Sequence, residues 1–197
     1  ELEGNKYIFS NSIYLDLEHL IYKIPLCVGV LGVCTYDSLE NTINAEQHMI
    51  QSRKDARDVL IIARDFLMNS NKKYIITFAG ENDFSVISFL FRKNRISNDW
   101  MKKYEFIDLQ KKYLNDTGNT TGLKNLEKIF DIERSGALIR GASLARTFKR
   151  ILREPGYGYR MSQEKVDRIL NYNLQDVVNL FRITTNWNKY VKTKEEV

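Results

Sequence analysis

The hydrophobic pattern of the chain changes period once, near residue 50, and that change separates a strand-like part from a helix-rich one. Tyr14-Leu15-Asp16-Leu17-Glu18 is a short β-prone run, and the apolar stretch of residues 26–34 follows after a loop. A weaker strand is predicted over residues 41–47, with Tyr36-Asp37-Ser38 offering turn chemistry before it. Connections this short predict an antiparallel meander. From residue 54 to residue 68, Ala56, Val59, Leu60, Ile62, Ala63, Phe66 and Leu67 recur at helical spacing. Residues 73–78 are β-prone, residues 84–91 resume helical spacing, and residues 104–107 read as a further strand. Strand–helix alternation of this kind predicts parallel pairing. The rest is mostly helical, over residues 123–130, 142–152 and 162–187, the last with Ser162 as its N-cap. The expected fold is therefore α/β: a mixed five-stranded sheet, three antiparallel strands then two parallel, flanked by helices in one domain over residues 1–197.

Composition narrows the setting. The chain has 197 residues, 43% hydrophobic and 28% charged, as in a globular domain with a real core. No apolar run approaches the roughly 18–20 residues needed to cross a bilayer, and no basic-then-apolar leader opens the chain at Glu1. Further domains outside this span are left open. Cys27 and Cys34, seven residues apart, point to opposite faces if they share a strand and cannot bridge. Two buried free thiols fit a cytoplasmic protein. The net charge of +5 is compatible with a polyanionic partner without establishing one.

The candidate chemistry is acidic. On a strand, Asp16 and Glu18 project from one face, where two carboxylates repel and resist burial unless a cation lies between them. An isolated Asp-x-Glu also suits a solvated strand face. Asp83 follows the strand of residues 73–78 at the start of a helix, where α/β sheets place ligand-binding groups; it equally suits a helix cap. Asp176 stands in the last helix among Val177, Val178, Leu180 and Phe181, which imply an inward-packed stretch.

On these residues the chain resembles the DEDD, or DnaQ-like, 3′–5′ exonuclease superfamily, whose fold is ribonuclease H-like, and within it the YprB-type domains. The first motif of that family is matched by Tyr14-Leu15-Asp16-Leu17-Glu18. The second is matched by Ile76-Thr77-Phe78-Ala79-Gly80-Glu81-Asn82-Asp83, and the third by Tyr172 and Asp176. Phe106-Ile107-Asp108-Leu109 and the segment from Leu123-Lys124 through Glu133-Arg134 also resemble the family. Departures stand at Ala79, Asn82 and Phe84, which leave Glu81 or Asn82 as alternatives to Asp83, and at His19-Leu20 after the first motif. They admit impaired or specialised catalysis.

The resemblance implies a nuclease that hydrolyses phosphodiester bonds with two Mg²⁺ or Mn²⁺ ions, as a 3′–5′ exonuclease on single-stranded DNA or RNA. Asp16 would bridge, Glu18 and Asp176 would serve mainly one ion, and Asp83 the other through water. Tyr172 would orient the attacking water. Asp108 is expected to cap the following helix or brace the site. His19 is expected in a partly exposed loop, and His48 has no acidic or nucleophilic neighbour to recommend it. Arg146, Lys149, Arg150 and Arg153 fall on one helical face and form a candidate nucleic-acid contact within the segment 134–153. The competing reading is a catalytically inactive module of the same fold that binds nucleic acid or a protein.

Overall fold

The computed structural model describes residues 6–136 and 138–192; the ends of the expected domain lie outside these. A short helix α1 (Lys6–Ser10) precedes strand β1 (Ser12–Tyr22), which turns at Lys23 into β2 (Ile24–Asp37). A second turn, with Asn41 at positive φ, leads into β3 (Thr42–Met49). These three strands pair antiparallel. Helix α2 (Asp55–Asn69) carries the chain to β4 (Tyr74–Thr77), and α3 (Glu81–Lys93) carries it on to β5 (Glu105–Asp108). β4 joins β1 in parallel and β5 joins β4 in parallel, so the sheet order is β3-β2-β1-β4-β5. The expected sheet, three antiparallel strands and two parallel, is the one observed.

Helices α4 (Leu109–Thr117), α5 (Leu123–Ile129), α6 (Gly141–Arg153), α7 (Gln163–Thr185) and α8 (Trp187–Tyr190) complete the described chain. Ser162 caps α7 by accepting from the Lys165 amide. The helix expected to run to residue 187 breaks at Asn186, whose side chain donates to the Arg182 carbonyl. Asn is a weak helix former because its amide competes for backbone partners of this kind.

Alternation along β1 and β4 assigns the faces. Ile13, Leu15 and Ile75 pack with α2, α3 and α6, whereas Tyr14 and Ile76 pack with Val177, Leu180 and Ile183 of α7. Both faces are covered, which is why the central strands read as continuous apolar runs. Close approaches fix the helices on β2. A Cβ at Gly29 would sit 2.5 Å from the Phe148 ring of α6, and one at Gly32 would sit 2.1 Å from the Asn173 side chain of α7.

β1 is longer than its hydrophobic run predicts. It continues past Glu18 through register shifts at Glu18/His19 and Leu20/Ile21, where bulges break the alternation that marks a strand in sequence. Cys27 and Cys34 do share β2, are free and buried, and have thiols pushed up to about 12 by burial. No described helix is long and apolar enough to cross a membrane.

Candidate metal centre

The β1–β4 ladder ends at the pair Tyr14–Ile76. Asp16 and Glu18 therefore stand on the part of β1 that runs beyond its parallel neighbour, at the carboxyl end of the strands, where α/β sheets leave a crevice. Tyr14 faces α7, and strand periodicity turns Asp16 and Glu18 to the same side.

Helix α7 meets them with polar groups set in an apolar stripe. Ile169, Val177, Leu180 and Ile183 are buried, and Asn173 and Asp176 fall on that same face at helical spacing and are also buried. Asn173 Nδ2 donates to Asp16 Oδ2 at 2.8 Å, and its Oδ1 accepts from Gln47 Nε2 at 2.7 Å. The Asn173 amide thus fixes one oxygen of Asp16 and leaves the other free. Ligand oxygens of Asp16, Glu18 and Asp176 all lie within 4.8 Å of one another.

Asp83 is set alongside, outside that group of three. It is the third residue of α3 rather than its cap, and it is buried. The turn before it is held by Asp108, whose carboxylate accepts from the amides of Ala79 (3.0 Å) and Gly80 (3.1 Å) while also capping α4. Asp108 does both of the things expected of it. Asp83 Oδ1 lies 3.4 Å from His19 Nε2, which also lies 3.0 Å from Asn82 Nδ2. His19 is accordingly a strand residue facing the site, not a loop residue; the bulge after Glu18 turns it there. Of the alternatives to Asp83, Glu81 is exposed and pairs with Lys111, and Asn82 engages His19.

Two cations stand against Asp176. Lys124 of α5 and Arg134 both donate to its Oδ1. Arg134 also grips Glu127, a glutamate 2% exposed, with Nε 2.7 Å from Oε2, and Asn179 Nδ2 donates to Glu127 Oε1 at 3.0 Å. The Tyr172 ring lies under both cations, 4.6 Å from Lys124 Nζ and 5.5 Å from the Arg134 guanidinium carbon. The sequence assigns no role to Lys124, Glu127, Asn173 and Asn179, and it places Arg134 only within a candidate nucleic-acid segment. A signal existed in the helical stripe: Leu126 and Phe130 frame Glu127 as Ile169 and Val177 frame Asn173.

Electrostatics follow from this crowding. Burial first, then the charges of Asp176, Glu18 and Asp83, hold the Asp16 carboxyl well above its ordinary range. Burial and the charges of Asp176 and Asp83 raise Glu18 to about 7. Burial also raises Asp83, against the pull of His19. The Tyr172 phenol is pushed up by burial and by Asp176, so it keeps its proton at neutral pH. Converging carboxylates that resist ionisation are the environment a divalent cation relieves, and all-oxygen donors suit Mg²⁺ or Mn²⁺. The residues present fit such ions.

The basic helix face divides in the structure. Arg146, Lys149 and Arg153 line a groove beside the end of β1. Arg150 instead pairs with Glu154 at 2.8 Å and stacks 3.9 Å from the centre of the Tyr157 ring. His48 has an acidic partner after all, Glu46 at 2.5 Å, two residues away on the same face of β3.

No curated protein matches the sequence. The family model described as the RNase_H superfamily matches residues 13–188, from the second residue of β1 into α8. With the expected mixed five-stranded sheet, and an acidic cluster where its central strand runs past its parallel neighbour, the chain belongs to the RNase_H superfamily.

Proposed function

We propose that this domain is a divalent-metal-dependent nuclease of the DEDD type, hydrolysing phosphodiester bonds of single-stranded DNA or RNA from the 3′ end. The observation that carries the proposal is the convergence of Asp16, Glu18 and Asp176 oxygens within 4.8 Å, where β1 runs past β4. Asp16, Glu18 and Asp176 would hold Mg²⁺ or Mn²⁺, with Asp83 as the fourth carboxylate acting through water. Two such ions, when bound, supply Lewis-acid activation of water and charge neutralisation at phosphorus. Asn173 holds Asp16 in orientation, the outer-shell role that keeps a ligating carboxylate in place. Tyr172 retains its proton at neutral pH and orients the attacking water through its hydroxyl. Lys124, beside Asp176 and partly exposed, is placed to meet a phosphate oxygen. Arg146, Lys149 and Arg153 contact the strand as it approaches.

Incubation of end-labelled single strands and duplexes with Mn²⁺ or Mg²⁺ tests this reading. Loss of residues one by one from the 3′ end is the expected result; internal cuts would replace the exonuclease by an endonuclease. A second reading has its own support. Lys124 and Arg134 already neutralise Asp176, and His19 engages Asp83, so the site also suits a binding module without turnover. Strand binding with no hydrolysis under either metal would select it.

A further inference from the structure

Two hollows of about 230 and 340 Å³ adjoin on the surface and share Leu26, Leu152 and Arg153. The first lies between the end of β1 and α6, with Leu20, Leu26 and Ala145 in it and Arg146, Lys149 and Arg153 around it. The second continues between α2 and the end of α3, where it meets Arg53, Arg57 and Lys93. Six cations thus border one trough, and no acidic side chain lines either part. Among the described residues none of the six is in an ion pair, unlike neighbouring Arg150, which is held by Glu154. Gathering unpaired cations raises their mutual repulsion, and a polyanion is the partner that relieves it.

We infer that this trough is the track of a nucleic-acid single strand, leading from the carboxylates along α6 and across to α2 and α3. Its position supports that course. Leu20 is two residues beyond Glu18 on β1, roughly 7 Å along a strand. Helix α3 carries Asp83 near its start and Lys93 at its end, roughly 15 Å apart along a helix axis. One end of the trough thus stands two residues past Glu18 on β1, and the other stands ten residues past Asp83 on α3. Its chemistry supports a single strand over a duplex. Tyr22 is 62% exposed at the mouth, with Lys149 Nζ 5.7 Å from its ring centre, and the floor is apolar. An exposed aromatic ring and apolar floor for bases, with cations for phosphates, is the combination by which proteins hold unpaired strands.

The inference rests on the nuclease reading for the direction of the strand, and the test separates the two. In EDTA, binding of a labelled oligothymidylate of ~16 nucleotides is followed by anisotropy across a salt series. The triple variant Arg53→Ala, Arg57→Ala, Lys93→Ala should bind at least ~10-fold more weakly, with a salt slope shallower by about 2, since each phosphate contact on a single strand contributes about 0.7. The charge-keeping variant Arg53→Lys, Arg57→Lys, Lys93→Arg should retain the slope. In parallel, Mn²⁺-dependent hydrolysis of bis(p-nitrophenyl) phosphate, too small to reach these residues, should be equal in wild type and the alanine variant. Unchanged strand affinity and slope in the alanine variant, with hydrolysis intact, would overturn the track and leave the nuclease standing. Loss of binding by that variant, when even the wild type hydrolyses nothing, would support the track and end the nuclease reading. If the alanine variant instead loses only binding to phosphatidylserine vesicles, the trough serves a membrane surface and the inference fails.

Discussion

Glu127 is buried, and its side-chain oxygens are taken by Arg134 and Asn179. Removing one partner of a buried ion pair strands the other charge, so Arg134→Met is expected to cost about 3–5 kcal/mol of stability. Pairing it with Glu127→Gln should recover a large part of that loss, because both charges then disappear together. Urea unfolding of the two variants measures the difference, and equal losses would mean that the pair does not act as a unit. Asn173 has a separate role, since it orients Asp16 without being a candidate ligand. Asn173→Ala should weaken Mn²⁺ binding by ~10–100-fold, the usual cost of losing an outer-shell partner. Asp16→Asn keeps the shape and removes the charge, so turnover should vanish while the fold survives. Wild-type turnover in Asp16→Asn, read on a labelled strand, would remove Asp16 from the site.

At the level of elements, the distance between α7 and the sheet is set by Gly32. A methyl group there would meet the Asn173 carboxamide at 2.1 Å, and that side chain cannot swing away without releasing Asp16 and Gln47. Gly32→Ala should cost about 1–3 kcal/mol as overpacking and lower turnover more than stability alone explains. Activity at a temperature well below the melting point checks this, and full activity there would show that the approach is not needed. The same contact shows where sequence stops being informative. The division of the sheet into three antiparallel strands and two parallel ones was legible because alternation gives way to helical spacing and the connecting lengths constrain topology. Asp16, Glu18 and Asp176 were legible as a set because each stands on an element whose buried face could be read locally. The continuation of β1 to Tyr22 was not, because two bulges interrupt its period. The His19–Asp83 contact and the clasp of Asp176 by Lys124 and Arg134 join residues far apart in the chain. No local period encodes them. The four-residue basic pattern on α6 was legible as a face, but its division between the groove and Glu154 depends on what packs beside each residue.

For the whole molecule, the acidic cluster couples stability to pH and to metal. Glu18 has an ordinary value of 4.5 and a folded value of about 7, and Asp16 and Asp83 are raised in the same direction. Below pH 4.5 the Glu18 carboxyl is protonated folded or unfolded, so its contribution to stability is fully present. Between 4.5 and about 7 the folded state keeps a proton that the unfolded state has released, so stability falls as pH rises. Above about 7 both states are ionised and the deficit is complete. Divalent metal acts in the opposite sense, because it binds the ionised carboxylates and competes with those protons. In EDTA the melting temperature should therefore fall from pH 5 to pH 7.5, and at pH 7.5 Mn²⁺ in place of EDTA, at ~100 times its Kd, should raise stability by about 2.7 kcal/mol. At pH 5 the same Mn²⁺ should add much less. Glu18→Gln should make the EDTA profile shallower and shrink the Mn²⁺ shift together, since the Glu18 carboxylate contributes to both. A melting temperature in EDTA that rises through this window, or a Mn²⁺ shift equal at both pH values, would show that the carboxylates of β1 and α7 do not share a cation.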